Sequence, residues 1–470
     1  MLHQILRKDV VDVEIDLRYM IFASIDPNDP MARQGSEGTH MHLHVLEAGG
    51  SSPNRKGILM CTLFPAALIV AFCGLALGEL EATETLNISP ALSGSLIEAE
   101  ELELSLKWSR DLSSQEYLVG SVDYMVGTTE GLLLCLDRQL STVHVFDPTG
   151  EYVQSIGREG DGPGETRNPN GLCLVSPEVI ALSQSYPGKI TQISFDGSLV
   201  DETIPRLRDA GEGGFITLQA SRITDSGTFV AGWVGGMEGT VAVTDFLIGR
   251  LGEKDQIVTR FFQHTLHNDL LSSRTCREGD EYYRKMLLDL WDVNSHGRVF
   301  LVPNRNEYFV RLPDSDGSEV CSIRRSVSTC PRPAELLRSL EARYKAYYKS
   351  LPFDVSVELH NDEPAIHRLE IHPDGNLAVL PCAGMRSTGP RMTLHYDIYS
   401  RNGTYLKTIV VECLGDPYTD RLFFLPGETV VCVRNFSDPK HRSLRESVEY
   451  ERKPPSAGVT LDYYEVEVRQ

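Results

Sequence analysis

A turn-prone cluster followed by a short apolar run occurs six times along this 470-residue chain. It leads into LLLCL (132–136) from Glu130-Gly131, into VIALS (179–183) from Ser176-Pro177-Glu178, and into FVAGW (229–233) from Asp225-Ser226-Gly227. It returns before VFLVP (299–303) at Ser295-His296-Gly297, before LAVLP (377–381) at Asp374-Gly375-Asn376, and before VVCVR (430–434) at Pro426-Gly427-Glu428. Gly, Asp, Asn and Pro supply tight turns, and runs rich in Val, Leu, Ile and Phe suit strands buried on both faces. Most markers lie about 50 residues apart, the length of one four-stranded propeller blade. Six such units imply a closed ring, so the expected fold is an all-β six-bladed β-propeller.

A second marker falls inside each repeat. After four of the buried runs a strand ends in an aromatic residue or Leu and meets a Gly turn: Phe146 to Gly150, Phe195 to Gly197, Leu312 to Gly317, and Tyr399 to Gly403. An alternating outer strand such as Glu151 to Ile156 follows, the period-two pattern of a half-solvated edge. The third and sixth repeats carry weaker versions at Arg250-Leu251-Gly252 and near Ser456-Ala457-Gly458.

Both ends of the propeller region read as strands. Leu102, Leu104, Leu106 and Trp108 alternate with Glu101, Glu103, Ser105 and Lys107; Tyr464, Val466 and Val468 alternate with Glu465, Glu467 and Arg469. Pairing these two strands within one blade would close the ring and remove exposed edges. Two insertions carry helical signal. Residues 333–350 place Leu336, Leu337, Leu340, Tyr344, Tyr347 and Tyr348 at helical spacing, with Glu341 four residues before Lys345; Asp280 to Leu290 is the second. Each reads as a stabilising flap or as a lid over a central pocket.

Composition bounds the partners. A chain with 41% hydrophobic and 24% charged residues can build one large core and lacks the signature of global disorder. Its formal charge of −21, without clustered Lys and Arg, argues against nucleic acid. Residues 55–78 combine Arg55-Lys56, an apolar stretch from Ile58 to Leu77 and a small-residue exit at Ala76-Leu77-Gly78, the order of a secretory signal peptide cut near Gly78. A retained membrane anchor is the competing reading. Export to the periplasm or outside the cell follows, with membrane contact only through that segment. Residues 1–54, including His40, His42 and His44, are read as a non-native upstream extension, residues 79–97 as an acidic flexible tether, and residues 98–470 as the propeller.

Ten cysteines include no CxxC pair, which removes zinc-ribbon and thioredoxin readings. Cys135, Cys382 and Cys432 sit in or beside buried runs, where a thiol acts as a small apolar group. Cys321 and Cys330 flank a short basic segment and are the candidates for a bridge after export.

The segment 143–172, VHVFDPTGEYVQSIGREGDGPGETRNPNGL, resembles the exported bacterial six-bladed propellers of the NHL-repeat and TolB-like type, which often carry a GREGxGPGE loop between blades. The likeness is close over Ile156 to Glu165 and looser across residues 100–470. It implies fold and export far more than chemistry. Read directly, Gly157, Gly160, Gly162 and Gly164 suit a structural blade connector; the loop lacks the Gly-Lys-Ser/Thr of a phosphate loop and the following helix of a dinucleotide fingerprint.

Other catalytic signals fail on inspection. Asp314-Ser315-Asp316-Gly317 opens like a calcium loop but lacks the later bidentate acid and coincides with the blade turn. His264 and His267 stand in HxxH spacing without the HExxH acid, and no GxSxG elbow occurs. Candidates for the mouth of the central channel, where inner strands begin, are Asn170, Gln219, Asp289, His367, Arg368 and Arg421. That mixed set holds one carboxylate, which suits hydrogen bonding to a polar ligand better than metal coordination. The sequence therefore reads as an extracytoplasmic binding or interaction module for a protein or glycan, with no cofactor, no metal and no catalytic residue assigned. The alternative is a lactonase-like hydrolase or lyase acting at the channel mouth.

Overall fold

The computed structural model describes residues 86–88, 99–112, 119–207, 215–239, 241–269, 273–349, 353–436 and 459–467. The expected upstream extension and signal segment lie outside the described residues, as does the turn near Gly458. Within the expected tether, Leu86–Ile88 pairs in parallel with Cys321, Ser322 and Ile323.

The chain forms a six-bladed β-propeller. Blade 1 runs through Tyr124–Gly127, Leu133–Asp137, Thr142–Phe146 and Tyr152–Ile156; blade 2 through Pro169–Ser176, Val179–Gln184, Lys189–Ser194 and Leu199–Thr203. Blade 3 comprises Phe215–Thr224, Gly227–Glu238, Val241–Leu251 and Ile257–Asn268. Blade 4 comprises Trp291–Val293, Val299–Leu301, Tyr308–Pro313 and Glu319–Arg325. Blade 5 holds Ile366–Ile371, Leu377–Pro381, Arg391–Tyr399 and Tyr405–Leu414. In each of these sheets the strands pair antiparallel in chain order, from the inner strand outward. Blade 6 takes three strands from the C-terminal side, Arg421–Leu425, Thr429–Arg434 and Thr460–Glu467, and its outer strand from Glu100–Asp111.

All six recurring apolar runs fall on the second strand of a blade, flanked on both sides within the sheet and packed against neighbouring blades. Leu134, Ile180, Ala231, Phe300, Val379 and Val431 are each fully buried there. Gly131, Gly227, Gly297, Gly375 and Gly427 all take positive φ at the preceding turns, and Gly150, Gly197, Gly317 and Gly403 do so at the turns before the outer strands. In blade 3 the expected turn begins at Gly252 and the positive φ passes to Asp255. Blade 6 needs no such turn before its outer strand, because that strand arrives from the other end of the chain.

Between third and outer strands, directly opposed polar residues recur. His144 bonds Ser155 (2.9 Å), Gln192 donates to Asp201 (3.2 Å), and Thr265 donates to Asp245 (2.6 Å). Thr408 donates to Asp397 (2.9 Å) and Ser109 to Asp462 (2.5 Å). Blade 4 opposes Arg311 and Ser322. Cross-strand pairs of this kind fix register, since a one-residue slip would exchange buried and exposed faces.

Closure joins blade 6 to blade 1 as well as to itself. Trp108 stacks on Tyr463 with ring centroids 5.0 Å apart and donates from Nε1 to the Pro148 carbonyl (2.9 Å) in blade 1. A Cβ on Gly150 would meet the Trp108 ring at 2.8 Å, so only glycine fits beneath it. The expected face of Leu102, Leu104, Leu106 and Trp108 is interrupted: the register shifts between Leu106 and Trp108, and Leu106 is exposed. An extra residue in one strand turns the following side chain to the other face.

Two helices decorate one face. The first, α1 (Glu278–Asp289), precedes the inner strand of blade 4; the second, α2 (Ala334–Tyr347), precedes that of blade 5. Both insertions link an outer strand to the next inner strand, so they emerge where inner strands begin. Thr275–Arg277 pairs in parallel with Ser356–Glu358 and ties the insertions together. Glu341 and Lys345 of α2 form the expected pair (2.7 Å).

The candidate Cys321–Cys330 bridge does not form: Cys330 bonds Cys382, while Cys321 is a free, buried thiol. Cys321 lies within the outer strand of blade 4 and packs into the core shared with blade 3 and blade 5, whereas Cys330 lies beyond the strand end, over blade 5. Cys382 is thus a cross-link to the second insertion rather than a spare apolar group.

Deleting residues 459–470 removes Leu461, Tyr463 and Tyr464, each worth about 1.5–3 kcal/mol of burial, and exposes the edge of the second strand of blade 6. The expected outcome is aggregation or a large drop in Tm by calorimetry; a truncated chain melting with the full one would show the strand to be dispensable.

Candidate functional site

The inner strands bring polar groups from separate blades to one central cavity. Tyr124 of blade 1, Asn170 of blade 2, Arg222 of blade 3 and Arg421 of blade 6 line it, together with Leu288 and Asp289 from the C-terminal turn of α1. The remaining space is about 20 Å³, room for a single water molecule.

These charges are committed to one another. Arg222 donates from Nε to Asp292 Oδ1 (2.7 Å) and from a terminal nitrogen to the Tyr124 hydroxyl (3.2 Å), with its guanidinium near the Tyr124 and Trp291 rings. Burial opposes its charge, yet Tyr124 and Asp292 hold its proton above the ordinary value. Asp292 Oδ2 accepts from the Ile371 amide (2.8 Å), which ties blade 4 to blade 5. Arg421, 8% exposed, donates to Asp289 Oδ1 (3.0 Å) and lies over the rings of Tyr124, Phe423 and Phe436. Glu370 stands in the same field; burial raises its carboxyl above the usual range against the pull of Arg368 and Arg421. A buried ion pair whose partner is removed leaves an uncompensated charge, so this set is stable only as a set.

Of the six residues expected at the channel mouth, Asn170, Asp289 and Arg421 meet at the cavity. Gln219 is buried beside Asn170, whose side-chain amide donates to the Leu218 carbonyl (3.1 Å) and lies 3.5 Å from Gln219 Oε1. Arg368 reaches across to the Leu422 carbonyl of blade 6 (3.3 Å). His367 lies apart, its Nε2 making no hydrogen bond and standing 3.7 Å from Glu363. Tyr124, Arg222, Asp292 and Glu370 were not in the expected set. For Arg222, Asp292 and Glu370 the signal is a charged residue in the short strand just before the recurring turn, as in ASRIT (220–224), WDV (291–293) and HRLEI (367–371); Tyr124 carries no such mark.

Helix α1 is the roof of this cavity. Tyr282, Met286 and Leu287 are buried, the Tyr282 hydroxyl donates to the Val302 carbonyl (3.0 Å), and Trp291 Nε1 donates to the Leu287 carbonyl (2.8 Å). At its other end Glu278 accepts two bonds from Arg332 (2.7 and 2.8 Å) and one from Arg305 (3.2 Å). Burial works against the Glu278 charge, but Arg332 and Arg305 hold the carboxyl below its usual range. Helix α2 has no fully buried residue and rests on the second insertion.

The remaining motifs are structural. In the Gly-rich loop the Glu165 carboxylate accepts from the Gly162 amide (2.8 Å) and pairs with Arg158 (2.7 Å), filling the place an external anion would take. A Cβ on Gly160 would stand 1.9 Å from that carboxylate. Gly317 takes the positive φ of a hairpin turn at Asp314–Gly317, and His264 stacks on Tyr283 at 3.9 Å. Asp137, His144 and Ser155 are linked in sequence by hydrogen bonds of 3.1 and 2.9 Å, but Asp137 and His144 are buried inside blade 1, out of reach of a substrate. Among the described residues no group of three or more His, Cys, Asp or Glu side chains is placed to hold a metal ion.

Residues 113–205, which span blades 1 and 2, match a family model described as a 6-bladed beta-propeller, DUF5128. No curated protein sequence matches. Similar solved structures include a member of the DUF4221 family from Bacteroides vulgatus, at 10% identity and TM-score 0.43, covering 79% of this chain and 100% of that one. A Bacteroides fragilis protein described as exported shares 13% identity at TM-score 0.39, covering 78% and 96%. Virginiamycin B lyase from Staphylococcus aureus, an inactive variant bound to quinupristin, shares 10% identity at TM-score 0.37, covering 78% and 100%.

The His367 imidazole, 14% exposed but with Nε2 shut away from water, gives a pH signature. Burial first, then Lys285, Arg368, Arg332 and Arg305, hold His367 well below its ordinary value of 6.5. Below that value the unfolded chain takes up a proton that the folded one refuses, so stability is lost as pH falls, at up to about 1.4 kcal/mol per pH unit from this residue. His367→Gln should flatten the fall in Tm between neutral and mildly acidic pH. An unchanged slope would place the imidazole in water.

Proposed function

We propose that this chain is an extracytoplasmic binding module that engages a protein or glycan on its decorated face. The observation that carries the reading is the state of the axis. Arg222 with Asp292 and Arg421 with Asp289 already satisfy one another, under a packed helix, with about 20 Å³ left between them. A substrate pocket of the usual kind needs several hundred cubic ångströms. The face bearing α1, α2 and the Cys330–Cys382 bridge is where the chain adds material beyond the blades, and insertions on a rigid scaffold are where binding residues concentrate.

Export is supported by that bridge, since disulfides persist in oxidising compartments, and by the Arg55-Lys56, apolar and Ala76-Leu77-Gly78 order of the N-terminal segment. Among the described residues no helix is long and apolar enough to cross a membrane. The Ile156–Glu165 loop is what favours the NHL-repeat and TolB-like kind of propeller.

The alternative, a hydrolase or lyase at the channel mouth, draws on His367, whose unbonded Nε2 stands near Glu363. Two measurements separate the readings. Metal analysis of the purified propeller and turnover assays on lactone and ester substrates should show neither a stoichiometric ion nor hydrolysis. Turnover that disappears in His367→Ala or Asp289→Asn would establish the enzyme reading instead. N-terminal sequencing of protein from the cell envelope should start near Glu79, and an intact Met1 in the cytoplasm would contradict export.

A further inference from the structure

A second cavity, about 360 Å³, opens at the outer part of blade 4, away from the axis. Asn306, Glu307 and Tyr308 enter it from the start of the third strand; Arg324, Arg325 and Ser326 enter from the end of the outer strand. Its size falls in the range of small-molecule pockets.

Each of the two arginines lies over an aromatic ring. Arg324 lies 3.9 Å over the Phe309 ring, its direct cross-strand neighbour. Arg325 lies over Tyr308 and donates through a single nitrogen to Asp397 of blade 5 (2.5 Å). Asp397 is fully engaged, because the Tyr308 hydroxyl (2.8 Å) and Thr408 (2.9 Å) also donate to it. The other two nitrogens of the Arg325 guanidinium are not used by Asp397, and the residue lines the cavity. A guanidinium stacked and pre-oriented in this way suits the paired oxygens of a carboxylate or phosphate.

The opposing charge at the rim is weakly held. Glu307 stands 3.5 Å from Arg324, with both side chains about half exposed, a geometry that contributes little in water. The segment after Arg325 is pinned a few residues on by the Cys330–Cys382 bridge, which fixes the cavity wall.

We propose that this cavity binds a small ligand through one carboxylate or phosphate group, held by Arg324 and Arg325, with Glu307 paired to Arg324 in its place when the ligand is absent. The site rests on the binding-module reading and names the chemistry it would recognise. The ligand displaces the Glu307 carboxylate; no covalent bond changes.

Titration calorimetry of the mature protein with galacturonate, galactose and inorganic phosphate at millimolar concentration tests it. The wild type should bind galacturonate or phosphate, and which of them binds identifies the source of the oxygens; neutral galactose should not bind. Arg324→Gln should weaken binding about tenfold with Tm little changed, and Arg325→Lys should weaken it as well. Glu307→Gln should tighten it severalfold, a gain that loss of structure cannot imitate. Binding of galactose equal to galacturonate, binding unaltered in Arg324→Gln, or no binding of either anion overturns the site. The binding-module reading would survive any of these, because it is decided by the turnover and metal measurements.

Discussion

The antiparallel pairing of residues 103–111 with residues 460–467 is the interaction on which the rest of this molecule depends. A propeller is a ring of sheets, each packing its faces on two neighbours, so a gap between first and last blade would expose two apolar faces at once. Here the chain's two ends meet as adjacent strands of blade 6, and the Ser109–Asp462 bond and the Trp108–Tyr463 stack lie within that pairing. Trp108 and Arg110 then reach blade 1 through the Pro148 carbonyl and Glu151, so the same strand closes the last blade and stitches it to the first.

Closure sets the geometry at the axis. Once six inner strands converge, their polar side chains are either solvated or paired, and burial at the centre favours pairing. Arg222, Arg421, Asp289, Asp292 and Tyr124 come from different blades or from α1, yet they form one network. The roof helix belongs to that network through Asp289, and to the insertions through Glu278 and Arg332. The decorated face is therefore mechanically continuous with the ring, a suitable platform for recognition.

Much of the ring was legible in the sequence because its signals are local. The second strands show as short apolar runs after Gly turns, and the turns show because positive φ selects glycine at Gly131, Gly297 and Gly375. The closing strands were readable from their alternation, except at Leu106, where an added residue shifts the register in a way alternation cannot reveal. The site was legible in part. Asn170, Asp289 and Arg421 stand near turns or a helix end, where inner strands begin; Arg222, Asp292 and Glu370 lie inside inner strands and gain meaning only when the ring brings their blades together. The Cys330–Cys382 bridge was hidden for the same reason: the cysteines are distant in sequence and neighbouring only in the folded ring.

Native-state hydrogen exchange at the closing strands tests the account most directly. If the ring depends on this pairing, the amides of Leu104, Leu106, Tyr464 and Val466 should exchange only through global unfolding, with the same opening free energy as the buried second strands. Exchange of the closing strands at a markedly lower free energy, while blades 1–5 stay protected, would show that the ring stands without its clasp and would contradict the account.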